Sequence, residues 1–210
     1  MNYTELKANI QDVCEQTFTD DQLAMFTEQA EQLIFSTVDL PALRANQTGN
    51  ITGGNQYLTM PTGMLYVYSL AVIDPTSAEY HYLINKDPSF IREAYPVAAT
   101  QGRPRHYGIF SQTSFIVGPT PNVTYVAELH YGKYPTSIVT AGTTWLGDQF
   151  DSALLNGALV QAIRFQKGEA DMVALYEKMY IDALTLLKNL GDGKLETDAY
   201  RNGVVRVPVR

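Results

Sequence analysis

A chain of 210 residues, 45% hydrophobic and 18% charged, is long enough to bury a core and suits one globular domain or a domain carrying a sizeable insertion. The formal charge of −7 disfavours a role built on gripping nucleic-acid phosphates, which needs clustered Lys and Arg to displace counterions. A single cysteine, Cys14, makes no internal disulfide and suits a reducing compartment; with no signal-type N-terminus and no apolar run near the roughly 20 residues of a membrane helix, secretion and membrane insertion are disfavoured.

In chain order, Leu6, Ile10, Val13 and Thr17 recur at helical spacing, which predicts a first amphipathic helix over residues 4–17 with Cys14 packed within it. Thr19 followed by Gln22 fits a capping box, and Asp20 and Asp21 favour the positive end of the helix dipole. The second helix that they start carries Leu23, Phe26, Ala30, Leu33 and Ile34 on one face and stops before Pro41.

Residues 41–149 hold nine of the ten prolines and ten of the fourteen tyrosines, and helical periodicity is lost there. Strands are predicted at Gln56–Met60, Leu65–Ile73, Tyr80–Ile84, Tyr107–Phe110, Ser114–Val117 and Val123–Tyr131, separated by proline and glycine turns such as Asp74-Pro75 and Asp87-Pro88. Asn46–Asn55, with three glycines and only Ile51 as a large apolar residue, reads as a flexible loop. Helical signal returns after Trp145 with Leu154, Leu155, Ala158, Leu159, Ala162 and Ile163, and Gly168 breaks it. A last helix carries Met172, Leu175, Tyr176, Met179, Tyr180, Ala183, Leu184, Leu187 and Leu190 at the 3.6-residue period, and Gly191 is its expected stop. The fold class expected is α+β: an antiparallel helical bundle of two N-terminal and two C-terminal helices (residues 1–40 and 145–191). A tyrosine-rich antiparallel β region (41–144) is inserted in it, and a C-terminal arm (192–210) extends from it.

Chemistry is sparse. His81, His106 and His130 are scattered without the spacing of a metal site, so no metal or other cofactor is expected. Nucleotide loops and nucleophile elbows are absent from the sequence, and no enzymatic activity is expected. Glu128 and His130 share a strand face and could pair as acid and base, though a solvated strand face explains them as well. Tyr66, Tyr68, Tyr80, Tyr82, Tyr131 and Tyr134 supply amphipathic contact area for a subunit or tail interface, and equally suit a sheet core with cross-strand pairs. Arg103 and Arg105, in Arg103-Pro104-Arg105-His106, suit a solvated loop or a subunit contact.

The tail is the most telling segment. Lys194 to Arg210 carries a net charge of +2 on an otherwise acidic chain, and Val204, Val205, Val207 and Val209 have β propensity with no partner strand after them. Exposed valines are unfavourable unless covered, so Tyr200, Arg201, Val204, Val205, Arg206, Val207, Val209 and Arg210 form a candidate arm. Such an arm adds to a neighbour's sheet or groove, frays, or joins its own β region.

Several segments together carry a resemblance: two short N-terminal helices; Tyr57-Leu58-Thr59-Met60-Pro61; Gly102-Arg103-Pro104-Arg105-His106-Tyr107; and Gly118-Pro119-Thr120-Pro121. Val126-Ala127-Glu128-Leu129-His130-Tyr131-Gly132-Lys133-Tyr134-Pro135, Trp145-Leu146, Ala153-Leu154-Leu155-Asn156-Gly157-Ala158-Leu159 and a closing helix from Tyr176 to Leu190 complete it. The sequence resembles the head-to-tail adaptor, or connector, proteins of tailed bacteriophages. The resemblance implies a structural virion protein in the neck between capsid and tail, assembled in the host cytoplasm as a ring of twelve copies under the portal. Its partners would be other copies, the portal, which the arm reaches, and a tail or nozzle protein. DNA would cross its channel without sequence-specific binding, and no membrane is involved. A ligand-binding β module for a carbohydrate or host surface is the alternative, and a small hydrolase using Glu128 and His130 is a third reading.

Overall fold

Two reciprocal caps set the first helices of the computed structural model, which describes residues 1–195, with side chains through residue 190. In α1 (Tyr3–Cys14) the Glu5 N–H donates to Asn2 Oδ1 (2.9 Å) while the Asn2 N–H donates to Glu5 Oε2 (3.0 Å). In α2 (Asp20–Thr37) the Thr19 N–H donates to Gln22 Oε1 (3.0 Å) and the Gln22 N–H to Thr19 Oγ1 (3.3 Å), which is the capping box expected from sequence. Thr19→Ala is expected to cost about 1 kcal/mol of stability, read as a lowered urea midpoint with unchanged slope.

The elements that follow are β1 (Arg44–Ile51), β2 (Tyr57–Thr59), β3 (Met64–Ile73), β4 (Tyr80–Tyr82), β5 (Ile84–Asn85), α3 (Pro88–Ala94), β6 (Gln101–Gly102), β7 (His106–Ile109), β8 (Ser114–Gly118), β9 (Thr120–Pro121) and β10 (Tyr125–Lys133). Then come α4 (Ile138–Ala141), α5 (Trp145–Gln149), α6 (Asp151–Phe165) and α7 (Ala170–Leu195). The fold is mixed α+β. It divides into a helical unit, Met1–Leu43 with the chain from Pro135 onward, and a β unit, Arg44–Tyr134.

In the helical unit α6 is the central element, packed against α1, α2, α5 and α7. Its apolar face is nearly continuous: Ala153, Leu154, Ala158, Leu159 and Ala162 are buried with Leu6, Ile10, Phe26, Ile34 and Leu187. Small residues let the helices close in. A Cβ built at Gly157 would sit 3.1 Å from Ala30 Cβ and 3.2 Å from the Tyr180 ring, tighter than ordinary contact, so glycine suits the close approach of α2 and α7 to α6.

Two four-stranded sheets, ordered β1-β10-β3-β4 and β2-β8-β7-β5, and a two-stranded pair, β6-β9, make the β unit. The two larger sheets share one core, in which Leu70, Val72, Tyr125, Ala127, Leu129 and Tyr131 of the first meet Leu58, Tyr107, Phe115 and Val117 of the second. β10 alternates buried and exposed side chains from Tyr125 to Tyr131, the pattern of a sheet with one covered face. Pairing is antiparallel except for the two-residue contacts β5 with β7 and β6 with β9, which are parallel.

Several expectations are corrected. The first helix stops at Cys14, where Glu15 turns left-handed (φ 48°), so Thr17 lies outside it, and Val13 within it is exposed while Leu6 and Ile10 are buried. Arg44–Ile51 is a strand and not part of a loop. Its polar sequence hid it because the strand is exposed on both faces along most of its length, so no alternation is needed. Asp87-Pro88 opens the helix α3 instead of marking a turn alone: the Asp87 side chain accepts from the Ser89 N–H (2.8 Å), and Pro88 occupies a position where its missing N–H costs nothing. The closing helix passes through Gly191 and Gly193 to Leu195, because glycine permits a C-terminal cap without imposing one. Of the arm, Tyr200, Arg201, Val204, Val205, Arg206, Val207, Val209 and Arg210 lie outside the described residues.

Candidate assembly surfaces

The chain's acidity is concentrated in one unit. Residues 1–43 and 135–195 hold fifteen Asp and Glu against six Lys and Arg, whereas Arg44–Tyr134 hold five against six. The helical unit therefore repels phosphate, and the β unit is close to neutral.

α7 is the most apolar surface of the helical unit. Ala183 and Leu187 are buried, and Tyr176, Tyr180 and Leu184 pack against the core at its edge. The helical period then leaves a second row, Met172, Leu175, Met179 and Leu186, exposed at 43, 50, 43 and 66%, with the exposed Asp182 between Met179 and Leu186. The core covers only the neighbouring stripe of Tyr176, Tyr180, Ala183, Leu184 and Leu187. An apolar row of this length beside the buried stripe is the composition of an interface.

Elsewhere in the helical unit, Glu31 of α2 is almost fully buried, 3% exposed, and accepts the Ile138 N–H at 2.9 Å, which fastens the start of α4 to α2. Burial pushes its carboxyl up from the usual glutamate range and the neighbouring Glu28 adds to this, while the Ser137 hydroxyl and the Ile138 N–H oppose it. A carboxyl raised in the folded state gives stability that is fully present below the unfolded value of 4.5 and is lost as pH climbs through the folded value. The advantage of Glu31→Gln over the native chain should therefore be largest near neutral pH and shrink as pH falls toward 4.5, as read by thermal melts of both proteins.

In the β unit the tyrosines divide. Tyr66, Tyr68, Tyr80, Tyr82 and Tyr134 are exposed, whereas Tyr131 is a core residue, 5% exposed, because its place on β10 faces the second sheet. Tyr66 and Tyr68 meet edge to face at 5.2 Å, their hydroxyls 3.2 Å apart, and the Arg44 guanidinium lies 4.8 Å over the Tyr68 ring. Register aligns Thr48, Glu128, Ala71 and Tyr82 across the outer face of the first sheet, with Tyr80 in the next row donating to Glu128 Oε2 at 3.5 Å. Glu128 is thus engaged by a tyrosine, and His130 lines a separate shallow pocket with Arg44, Asn46 and Tyr68. The two are not brought together as an acid and base pair.

Arg103 and Arg105 are exposed and line a pocket with Tyr95, Gly102 and Pro119. Arg103 lies 2.9 Å from His81 Nε2, a contact the sequence did not reveal because 22 residues separate them. Burial, Lys86 and Arg105 together push the His106 imidazole below its usual value. Among the described residues, no group of three or more His, Cys, Asp or Glu could hold a metal ion, and no helix is long and apolar enough to cross a membrane.

Exposed apolar and aromatic faces are what a protein that works by contact with other proteins presents. The chain is a member of the SU10 adaptor protein family, matched over residues 1–208, and so a phage adaptor, a virion structural protein that interacts with other phage structural proteins. No curated protein matches the chain.

Proposed function

We propose that the chain is the subunit of a head-to-tail adaptor ring that joins the portal to the tail and surrounds the path of the DNA. In this reading the helical unit is an antiparallel bundle that packs side by side with its neighbours, and the β unit is an insertion that meets the tail or adjacent subunits. The observation that carries it is the apolar row Met172, Leu175, Met179 and Leu186, which a lone subunit leaves to solvent at a cost of roughly 25 cal/mol per Å² and a neighbouring subunit would cover. The acidity of the helical unit supports the same reading, since a wall along which duplex DNA slides must not hold its phosphates. Twelve copies is the number expected of such a ring. Electron microscopy of the purified chain mixed with its portal tests the proposal: rings seated on the portal are expected, and portals that remain bare contradict it.

A further inference from the structure

We propose that β1 is a docking edge for an extended strand, and that its occupant is the C-terminal segment Val204–Arg210 of a neighbouring copy of this chain. β1 ends its sheet, paired with β10 over eight consecutive positions without a bulge and with no strand on its outer side among the described residues. Proteins usually blunt so long an edge with proline, a bulge or inward-pointing charge; Arg44–Ile51 has no proline, and its inward-facing positions carry no charge.

The covered face of this sheet is also left open here. Register puts Ala45, Gln47, Gly49 and Ile51 on the side that faces the core, because their β10 partners Tyr131, Leu129, Ala127 and Tyr125 are all buried. Gln47 and Gly49 are nonetheless exposed, and a Cβ built at Gly49 would meet nothing within 4 Å. Beside them lies a cleft with Leu58, Pro61, Ala127 and Leu129 in its walls. A strand added to β1 would therefore direct every second side chain over this small, largely apolar cleft, the arrangement by which strand addition gains both main-chain bonds and side-chain selectivity.

The chain contains one segment with the matching pattern. In Val205-Arg206-Val207-Pro208-Val209-Arg210 valines alternate strictly with Arg, Pro and Arg, so one face is β-branched and apolar and the other is charged. Parity also settles the proline. If the valines turn their N–H and C=O groups to β1 and their side chains to the cleft, Pro208 points its missing N–H away from the ladder, where proline is tolerated. Fifteen residues follow Leu195, enough to span up to about 50 Å when extended, and the family match runs through them to residue 208.

This destination differs from the portal contact implied by the family resemblance, and it rests on the ring reading only in requiring a neighbouring copy. The test uses full-length chains with Cys14→Ser, one population carrying Gln47→Cys and the other Val205→Cys, Val207→Cys or Val209→Cys, mixed and treated with a short bis-maleimide with and without portal. The expected result is a dimer joining the two populations at least tenfold above a Thr76→Cys control, abolished when the arm also carries Val205→Asp and Val209→Asp around Val207→Cys. Dimer no higher than control overturns the inference, as does linkage seen only when both cysteines are on one chain, or an arm that links to added portal while β1 stays unlinked. Rings that form on the portal without this cross-link reject strand addition and leave the adaptor reading intact; chains that neither cross-link nor seat on the portal reject both.

Discussion

Replacing Leu175 and Met179 together with aspartate should abolish side-by-side assembly while leaving the isolated subunit folded and its melting temperature nearly unchanged. Both side chains are at least two-fifths exposed, so the subunit core loses little when they become polar. At a covered interface each would instead bury an unpaired carboxylate in place of an apolar anchor. Losses of about 2 kcal/mol or more at each position weaken association by more than about a hundredfold. Sedimentation velocity of native and doubly substituted chains, with and without portal, reads the effect. Undiminished assembly of the variant would remove α7 from the interface.

Phe26→Ala should have the largest effect on the subunit itself. Phe26 is 1% exposed and meets Phe18 edge to face at 5.3 Å and Phe165 at the same separation, so α2, the turn before it and the end of α6 share one aromatic cluster. Removing a buried phenyl ring costs about 3–5 kcal/mol through lost transfer energy and the cavity left behind. For a chain of this size the melting temperature should fall by about 10 °C. Calorimetry checks this, and a loss of about 1 kcal/mol or less would mean that Phe18 and Phe165 collapse into the space.

The helices were legible because their signals are local. The Thr19 and Gln22 cap, the run from Leu154 to Ile163 and the closing periodic helix each lie within a few turns of chain. What the sequence concealed is set by distant partners. Arg44–Ile51 has no alternation of its own and becomes a strand because β10, about eighty residues later, supplies its ladder. Periodicity identified the apolar positions of α7 but could not say which of two adjacent stripes the core covers, which is that of Tyr176, Ala183 and Leu187 and leaves Leu175 and Met179 exposed. Tyr131 and Tyr134 read alike in sequence, yet the pleat of β10 turns Tyr131 into the core while Tyr134, just past the end of the strand, is exposed. The pairing of Arg103 with His81 and the burial of Glu31 against Ile138 likewise arise from tertiary placement, which no local pattern encodes.

The charge division bears on how such a ring would be built. With the acidic residues concentrated in the helical unit and the β unit near neutrality, helical units brought side by side repel one another at long range. Apolar contact along α7 must then outweigh that repulsion, so assembly should strengthen as salt rises toward physiological levels, the opposite of a contact held by ion pairs.

An electron cryomicroscopy reconstruction of the chain bound to its portal tests the central claim most directly. The expected result is a closed ring in which Met172, Leu175, Met179 and Leu186 of every subunit are buried against the next. A reconstruction in which that row faces solvent while subunits meet elsewhere would contradict it.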